Sequence, residues 1–310
     1  MCKFLKYSLY FVLPLLITCA AIEILIRKVP NAYRYKYEWM QKNAEDVEVL
    51  VLGNSHTYFG IRPQYIDGNA FSLANVSQDQ KLNLFLLEYW SDRYKNLKTV
   101  ICPISVFSWF GRGIEYGSES YRCRYYKIYM DCNLYPSMIL HGFEITDYET
   151  AKIKLEKYFS DNSKIDYDQY GWGNTYKLQN KDMDSWNDET EAELAVKRHS
   201  VKTWDYYERN HSIMKKLAGF CKSRGIQLVL ITTPCWHSYY ERIKPEQLSK
   251  MYELTNLFQK EYNLPYLNYL KDSRFCADDF FDSNHLSDVG AIKFTKILNK
   301  DIQSLQNGKH

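Results

Sequence analysis

Residues 47–53 read VEVLVLG, an almost unbroken apolar run that stops on glycine and gives way to Asn54, Ser55 and His56. A run with no polar face to offer water belongs in a strand covered on both sides, as in the centre of a parallel sheet. Similar runs recur as NAFSLANV (69–76), LKTVICPIS (97–105), IQLVLITTP (226–234) and LPYLNYL (264–270). Segments with helical spacing separate most of them: QDQKLNLFLLEYWSDRY after the second, WDYYERNHSIMKKLAGFCKSRG before the fourth and KPEQLSKMYELTNLFQKEYN before the fifth. Gly225 closes the second of these helices and Pro245 opens the third, each where its backbone preference is at home. LSDVGAIKFTKILNKDIQSL then finishes as a helix. Strand alternating with helix predicts an α/β fold, a three-layer α/β/α sandwich around a mainly parallel five-stranded sheet.

Residues 106–200 break this rhythm. The stretch is rich in tyrosine and polar residues, as in YRCRYYKIYMDCNLY and DYDQYGWGNTY, and shows no strand period. A structureless loop of that length is unusual in a compact domain, so an inserted aromatic-rich subdomain over the active edge of the sheet is expected. The main domain is then 47–310, preceded by a stalk and lead-in helix over 29–46 and an anchor over 1–28.

The anchor rests on YSLYFVLPLLITCAAIEILI (7–26), in which Glu23 is the one charge. As a helix it measures about 30 Å, the thickness of a hydrocarbon layer, and membrane helices accept a proline such as Pro14. A cleaved signal peptide, with Lys3 and Lys6 as its basic start, and a lipid attachment at Cys19 compete with this reading. The apolar run continues well past Cys19, which favours an uncleaved helix. Lys3 and Lys6 precede the helix, but Arg27, Lys28, Arg34 and Lys36 follow it, so a positive-inside count argues for a cytoplasmic domain. Large domains cross despite such charges, and an outward-facing domain is the expectation taken here.

The formal charge of +3 is small and its basic residues form no runs, which argues against nucleic acid as a partner. The eight cysteines include no CxxC pair, and the seven histidines lack ligand spacing, so no metal site is expected. Cys123 and Cys132 are close enough in sequence to bridge, within no repeated framework.

Ligands of parallel α/β sheets bind beyond the carboxyl ends of the strands. Ser55 lies there after the first strand, and Asp282-Ser283-Asn284-His285 lies after the fifth. A serine becomes nucleophilic when a base takes its proton and a third group fixes that base's tautomer. Asp282 and His285 supply both. Each motif alone reads equally well as a helix cap; together, at the two ends of the domain, they point to nucleophilic catalysis.

The pair GNSH and DSNH, the latter followed by LSDVGA, resembles the first and last blocks of the SGNH/GDSL hydrolase superfamily over roughly residues 47–305. The resemblance is nearest to membrane-anchored bacterial members associated with cell-envelope polysaccharides, where O-acetyl removal or transfer is the usual chemistry. It implies Ser55 as nucleophile, His285 as general base and then acid, and Asp282 as the carboxylate orienting it. The oxyanion glycine of the second block aligns with Ser77, whose backbone N–H is an equivalent donor alongside that of Ser55. The third block, Gly-x-Asn-Asp, is absent: its place reads PISVFSW, where Ser105 or Ser108 replaces the asparagine donor only in part. Asn54 stands where the family has aspartate, and it too can hold the turn.

Four further residues are candidates for substrate contact: His56 beside the nucleophile, Arg198 and His199 where the insert returns to the sheet, and His237 beyond the fourth strand. For Arg198 a salt bridge to the acidic run DETEAE competes with a role towards acidic sugars. Trp172, Tyr176 and Trp186 are candidates for stacking on a sugar, provided that they are exposed.

These readings converge on a membrane-tethered serine esterase or O-acyltransferase acting through an acyl-enzyme on acylated carbohydrate or another ester. It needs no cofactor, and polysaccharide-assembly proteins or an acyltransferase are possible partners. The missing third block favours a different reading, a catalytically weak binding or assembly component of a polysaccharide modification or export complex. A sugar-phosphate or nucleotide enzyme is disfavoured because no glycine-rich phosphate loop follows any strand.

Overall fold

The computed structural model describes residues 2–135, 142–160 and 165–308, in two compact units. One comprises residues 1–37 with 120–165, the other 38–119 with 166–310. The stretch from 106 to 200 thus divides between them.

The larger unit holds a five-stranded sheet in the order β2-β1-β3-β4-β5, formed by β1 (Val49–Val51), β2 (Ala70–Ser72), β3 (Thr99–Pro103), β4 (Gln227–Thr232) and β5 (Tyr266–Asn268). Every pairing is parallel, with Leu50 opposite both Phe71 and Val100. The three inner strands are buried along almost their whole length, which is why their sequences lack the alternation of a half-solvated strand. On one face Val49, Val51, Ile101, Val229 and Ile231 pack with Phe294, Leu298 and Ile302. Those three side chains come from the last helix of the chain, Asp288–Gln306. The other face is covered by the helices Gln80–Tyr89 and Tyr207–Ser223, which bury Leu82, Leu86, Met214 and Leu217.

The carboxyl end of β1 is shaped by Gly53. Its φ of +122° lies in a region L side chains rarely adopt, and a Cβ there would meet Pro103 Cγ at 2.2 Å and Thr57 Oγ1 at 2.6 Å. The chain therefore turns hard against β3 before entering a six-residue helix, Ser55–Gly60. Asn54 caps this helix by accepting the His56 N–H at 3.0 Å, which satisfies one of its orphan donors.

In the smaller unit the first helix, Cys2–Arg27, is long and apolar enough to cross a membrane. Phe4, Leu9, Phe11, Leu16 and Ile24 all stand exposed on it. Near its end the Glu23 carboxylate accepts the N–H groups of Glu144 and Ile145 at 3.0 and 2.9 Å and pairs with Arg27 at 2.6 Å. Glu144, fully buried, is held by Lys154 at 2.6 Å. Cys123 and Cys132 are both buried in this unit.

Gly53→Ala combines backbone strain with overpacking. Urea unfolding should show a loss of about 1–3 kcal/mol, whereas Gly219→Ala, which adds a Cβ with nothing within 4 Å, should not destabilise.

Candidate active site

Two loops at the carboxyl edge of the sheet bring together residues 230 positions apart. The Ser55 hydroxyl donates to His285 Nε2 at 2.8 Å, and His285 Nδ1 lies 2.9 and 3.0 Å from the two oxygens of Asp282. Asp282 Oδ1 also accepts the N–H groups of Asn284 and His285 at 3.0 and 2.8 Å. Each distance is that of a good hydrogen bond. A proton on His285 Nδ1, facing the carboxylate, leaves Nε2 as an acceptor for the serine proton. This is the tautomer a general base requires.

Backbone closure makes the loop rigid. Phe280 and Leu286 pair as an isolated antiparallel bridge, and Phe281 N–H donates to His285 O at 2.9 Å. Ser287 caps the last helix by accepting the Gly290 N–H at 3.1 Å and donates its own hydroxyl proton to Asp278 O at 2.7 Å. The Trp236 N–H, just beyond β4, donates to Ser283 O at 2.9 Å. Burial pushes the Asp282 pKa up, but the His285 imidazole and the two N–H donors outweigh it and hold the carboxyl below its ordinary value. It is a carboxylate at neutral pH.

Above His285 three rings form a stack. Tyr176 lies between Phe59, at 3.9 Å and 14°, and Phe281, at 4.3 Å and 15°. His285 meets the edges of this stack, 5.2 Å from Tyr176 and 5.9 Å from Phe59. Tyr176 is fixed in turn by its carbonyl, which accepts the Asp288 N–H at 2.8 Å. The imidazole has little freedom to turn away from the serine.

Two backbone donors in the turns after β1 and β2 are unused. The N–H groups of Ser55 and Ser77 make no hydrogen bond among the described residues, and Asn75 N–H donates to Gly53 O at 3.0 Å, tying the loop after β2 to the turn after β1. Ser77 adopts φ of +58°, the left-handed conformation that glycine enters most readily.

Ser105 and Ser108 do not reach the serine or the imidazole of the pair. Ser108 Oγ accepts the Ser105 N–H at 2.8 Å; Ser105 Oγ accepts from Asn54 Nδ2 at 3.0 Å and lies 3.0 Å from His56 Nδ1. Both are spent on the support of His56. That residue is buried with its Nε2 3.1 Å from Asn284 Nδ2, which makes it part of the interior of the site. Burial, followed by the neighbouring His285 and His199, lowers its pKa well below the ordinary value. His199 Nδ1 lies 2.7 Å from the Tyr239 hydroxyl, its ring 5.6 Å from that of His56, and burial lowers its pKa to about 3.

The other candidates lie further out. His237 is half exposed and faces Glu241 at 3.7 Å. Arg198 is exposed with no ion pair among the described residues. The salt bridge expected between it and the acidic run is not formed: Glu189 pairs with Arg242 at 3.4 Å, and Glu191 accepts the Ser283 N–H at 3.2 Å. The sugar-stacking expectation also fails on exposure. Trp172 and Trp186 are buried, Trp172 donating to Phe59 O at 2.7 Å and Trp186 covered by Lys181 Nζ at 3.3 Å from its ring centre. Both faces of Tyr176 are taken by Phe59 and Phe281.

Sequence reasoning missed Asn284, Phe59 and Glu191. Asn284 stood inside the quoted DSNH motif but served only as spacing. Nothing in the sequence marks Glu191, whose pKa is raised by burial and by Asp282 against the opposing hydrogen bonds to Ser283.

No protein-family model matches the chain, and no curated protein matches it. Among solved structures it is similar to a Bacteroides fragilis protein that carries the name acylhydrolase, at 10% identity and a TM-score of 0.42 over 87% of this chain and 94% of that one. A GDSL-like lipase from Bacteroides thetaiotaomicron gives 11% identity and a TM-score of 0.38, over 88% and 100% of the two chains.

His56 and His199 have folded-state pKa values below the unfolded value of about 6.5. Between those values the unfolded chain binds protons that the native site refuses. Stability is therefore fully present above about pH 7 and declines as pH falls through about 6.5, by up to about 1.4 kcal/mol per pH unit for each histidine. His199→Gln should flatten the slope of unfolding free energy between pH 7 and 5 by about one proton; an unchanged slope would mean that His199 titrates normally.

Proposed function

We propose that this chain is a membrane-tethered serine hydrolase or O-acyltransferase of the SGNH/GDSL type, acting on acylated cell-envelope glycans. The single observation that carries the reading is the continuous hydrogen-bonded run Ser55–His285–Asp282 at 2.8 and 2.9 Å. Ser55 Oγ attacks the ester carbonyl carbon while its proton passes to His285 Nε2, and Asp282 steadies the imidazolium. The N–H groups of Ser55 and Ser77 receive the oxyanion. Collapse of the tetrahedral intermediate expels the alcohol, which takes the proton back from His285. Water or a sugar hydroxyl then attacks the acyl-enzyme by the same steps in reverse.

The glycan and the transfer reaction rest on the resemblance of GNSH and DSNH to that superfamily. The membrane location rests on the exposed apolar helix Cys2–Arg27, with the enzyme outside a bacterial cytoplasmic membrane and polysaccharide-assembly proteins as its partners. Because the ring faces of Trp172, Tyr176 and Trp186 are occupied, a glycan would be held by polar groups around Ser55.

Incubating the full chain in detergent with a fluorophosphonate should label Ser55, and Ser55→Ala or His285→Ala should lose the label. Aryl acetate turnover should fall by at least about 1000-fold in either variant. A folded wild-type chain that takes no label would leave the assembly-component reading. Cleavage of aryl acetate without action on acetylated polysaccharide would remove the glycan and keep the esterase.

A further inference from the structure

The Asn284 side chain bridges two imidazoles. Its Nδ2 lies 3.1 Å from His56 Nε2 and 3.4 Å from His285 Nε2. The residue is 1% exposed, so water does not compete for these groups.

Since an amide nitrogen can only donate, His56 Nε2 must accept, and the His56 proton sits on Nδ1. From there it points to Ser105 Oγ at 3.0 Å, an oxygen itself positioned by Asn54 Nδ2 at 3.0 Å. A protonated His56 has no lone pair at Nε2 and loses this bond. The neutral state is the one its burial favours.

One amide hydrogen is thus fixed on His56. The other is directed to the neighbourhood of His285 Nε2, whose single lone pair already takes the Ser55 proton at 2.8 Å. At 3.4 Å the second contact lies beyond a normal N–H hydrogen bond. The resting site therefore holds a buried N–H that is not fully used, 3.4 Å from the nitrogen that accepts the Ser55 proton. Such a donor is uncomfortable until negative charge appears within its reach.

We propose that Asn284 is a catalytic residue, its free N–H donating to the oxygen that becomes negative as Ser55 attacks, and that His56 is the positioning residue that aims it. This rests on the acyl-transfer reading of Ser55. It assigns a side-chain amide to a site that otherwise has only the backbone donors of Ser55 and Ser77. It also explains a histidine directly after the nucleophile with both ring nitrogens committed to internal partners.

The labelling step isolates the proposal without a known substrate. Ser55 Oγ bonds to the phosphorus of a fluorophosphonate, fluoride leaves, the serine proton goes to His285 Nε2, and charge develops on the phosphoryl oxygen. At saturating probe, Asn284→Ala should label about 100- to 1000-fold more slowly than wild type, the loss associated with one oxyanion donor, with the half-saturating probe concentration little changed. His56→Leu should lose a comparable factor. His56→Gln, which restores an acceptor, should label at least tenfold faster than His56→Leu. In the double variant the two losses should not multiply, because both remove the same donor.

Labelling of Asn284→Ala at the wild-type rate, or losses that multiply in the double variant, would overturn the proposal while leaving Ser55 as nucleophile. Absence of any label in the wild type would instead overturn the acyl-transfer reading. Matched thermal unfolding of each variant separates a slowed reaction from a misfolded chain, and the ratio between His56→Gln and His56→Leu decides the case should Asn284→Ala not fold.

Discussion

The hydrogen bond from Ser55 to His285 is the contact around which the larger unit is organised. It joins a turn at the end of the first strand to a turn just before the last helix, so it forms only when a five-stranded parallel sheet delivers both to one edge. Local features then fix each partner. Gly53 lets the chain press against Pro103, and Asn54 caps the short helix that carries the serine. On the other side, Asp282 gathers two N–H groups from its own loop, and Gly290 allows the last helix to approach Asp279 so closely that a Cβ would lie 1.9 Å from its carbonyl oxygen. A side chain at either glycine would move the serine or the imidazole.

Polar groups around this contact are organised to hold charge in one place. Asp282 is kept ionised by the His285 imidazole and its N–H donors despite burial, while His56 and His199 are kept neutral chiefly by burial. The rings of His285 and His199 lie 5.2 and 5.6 Å from that of His56, so charge on all three at once would be repulsive, and burial opposes charge on His56 and His199. The Phe59–Tyr176–Phe281 stack restrains that ring from the side. Rings that suggest carbohydrate stacking in the sequence serve instead as structural wedges.

The smaller unit solves a different problem. A helix apolar enough for lipid must end in polar surroundings, and Glu23 with Arg27 does so by binding the backbone of residues 142–145. Glu144, held by Lys154, extends the same network inward. Such a network costs desolvation unless every charge is partnered; the ion pairs are local in sequence, while Glu23 and Arg27 also take backbone partners more than a hundred positions away.

The sequence by itself determined the strands, the parallel sheet and the apolar first helix, because burial on both faces removes polar residues from a strand; it also singled out Ser55, Asp282 and His285, which the fold joins in one hydrogen-bonded run. Tertiary structure alone decided that Asn284 faces two imidazoles, that Ser105 supports His56, that Trp172 and Trp186 are buried, and that residues 106–200 are shared between two units. These depend on distances across the fold. Spacing along the chain carries no information about which side chain a turn will aim at a distant ring, or which aromatic face a lysine will cover.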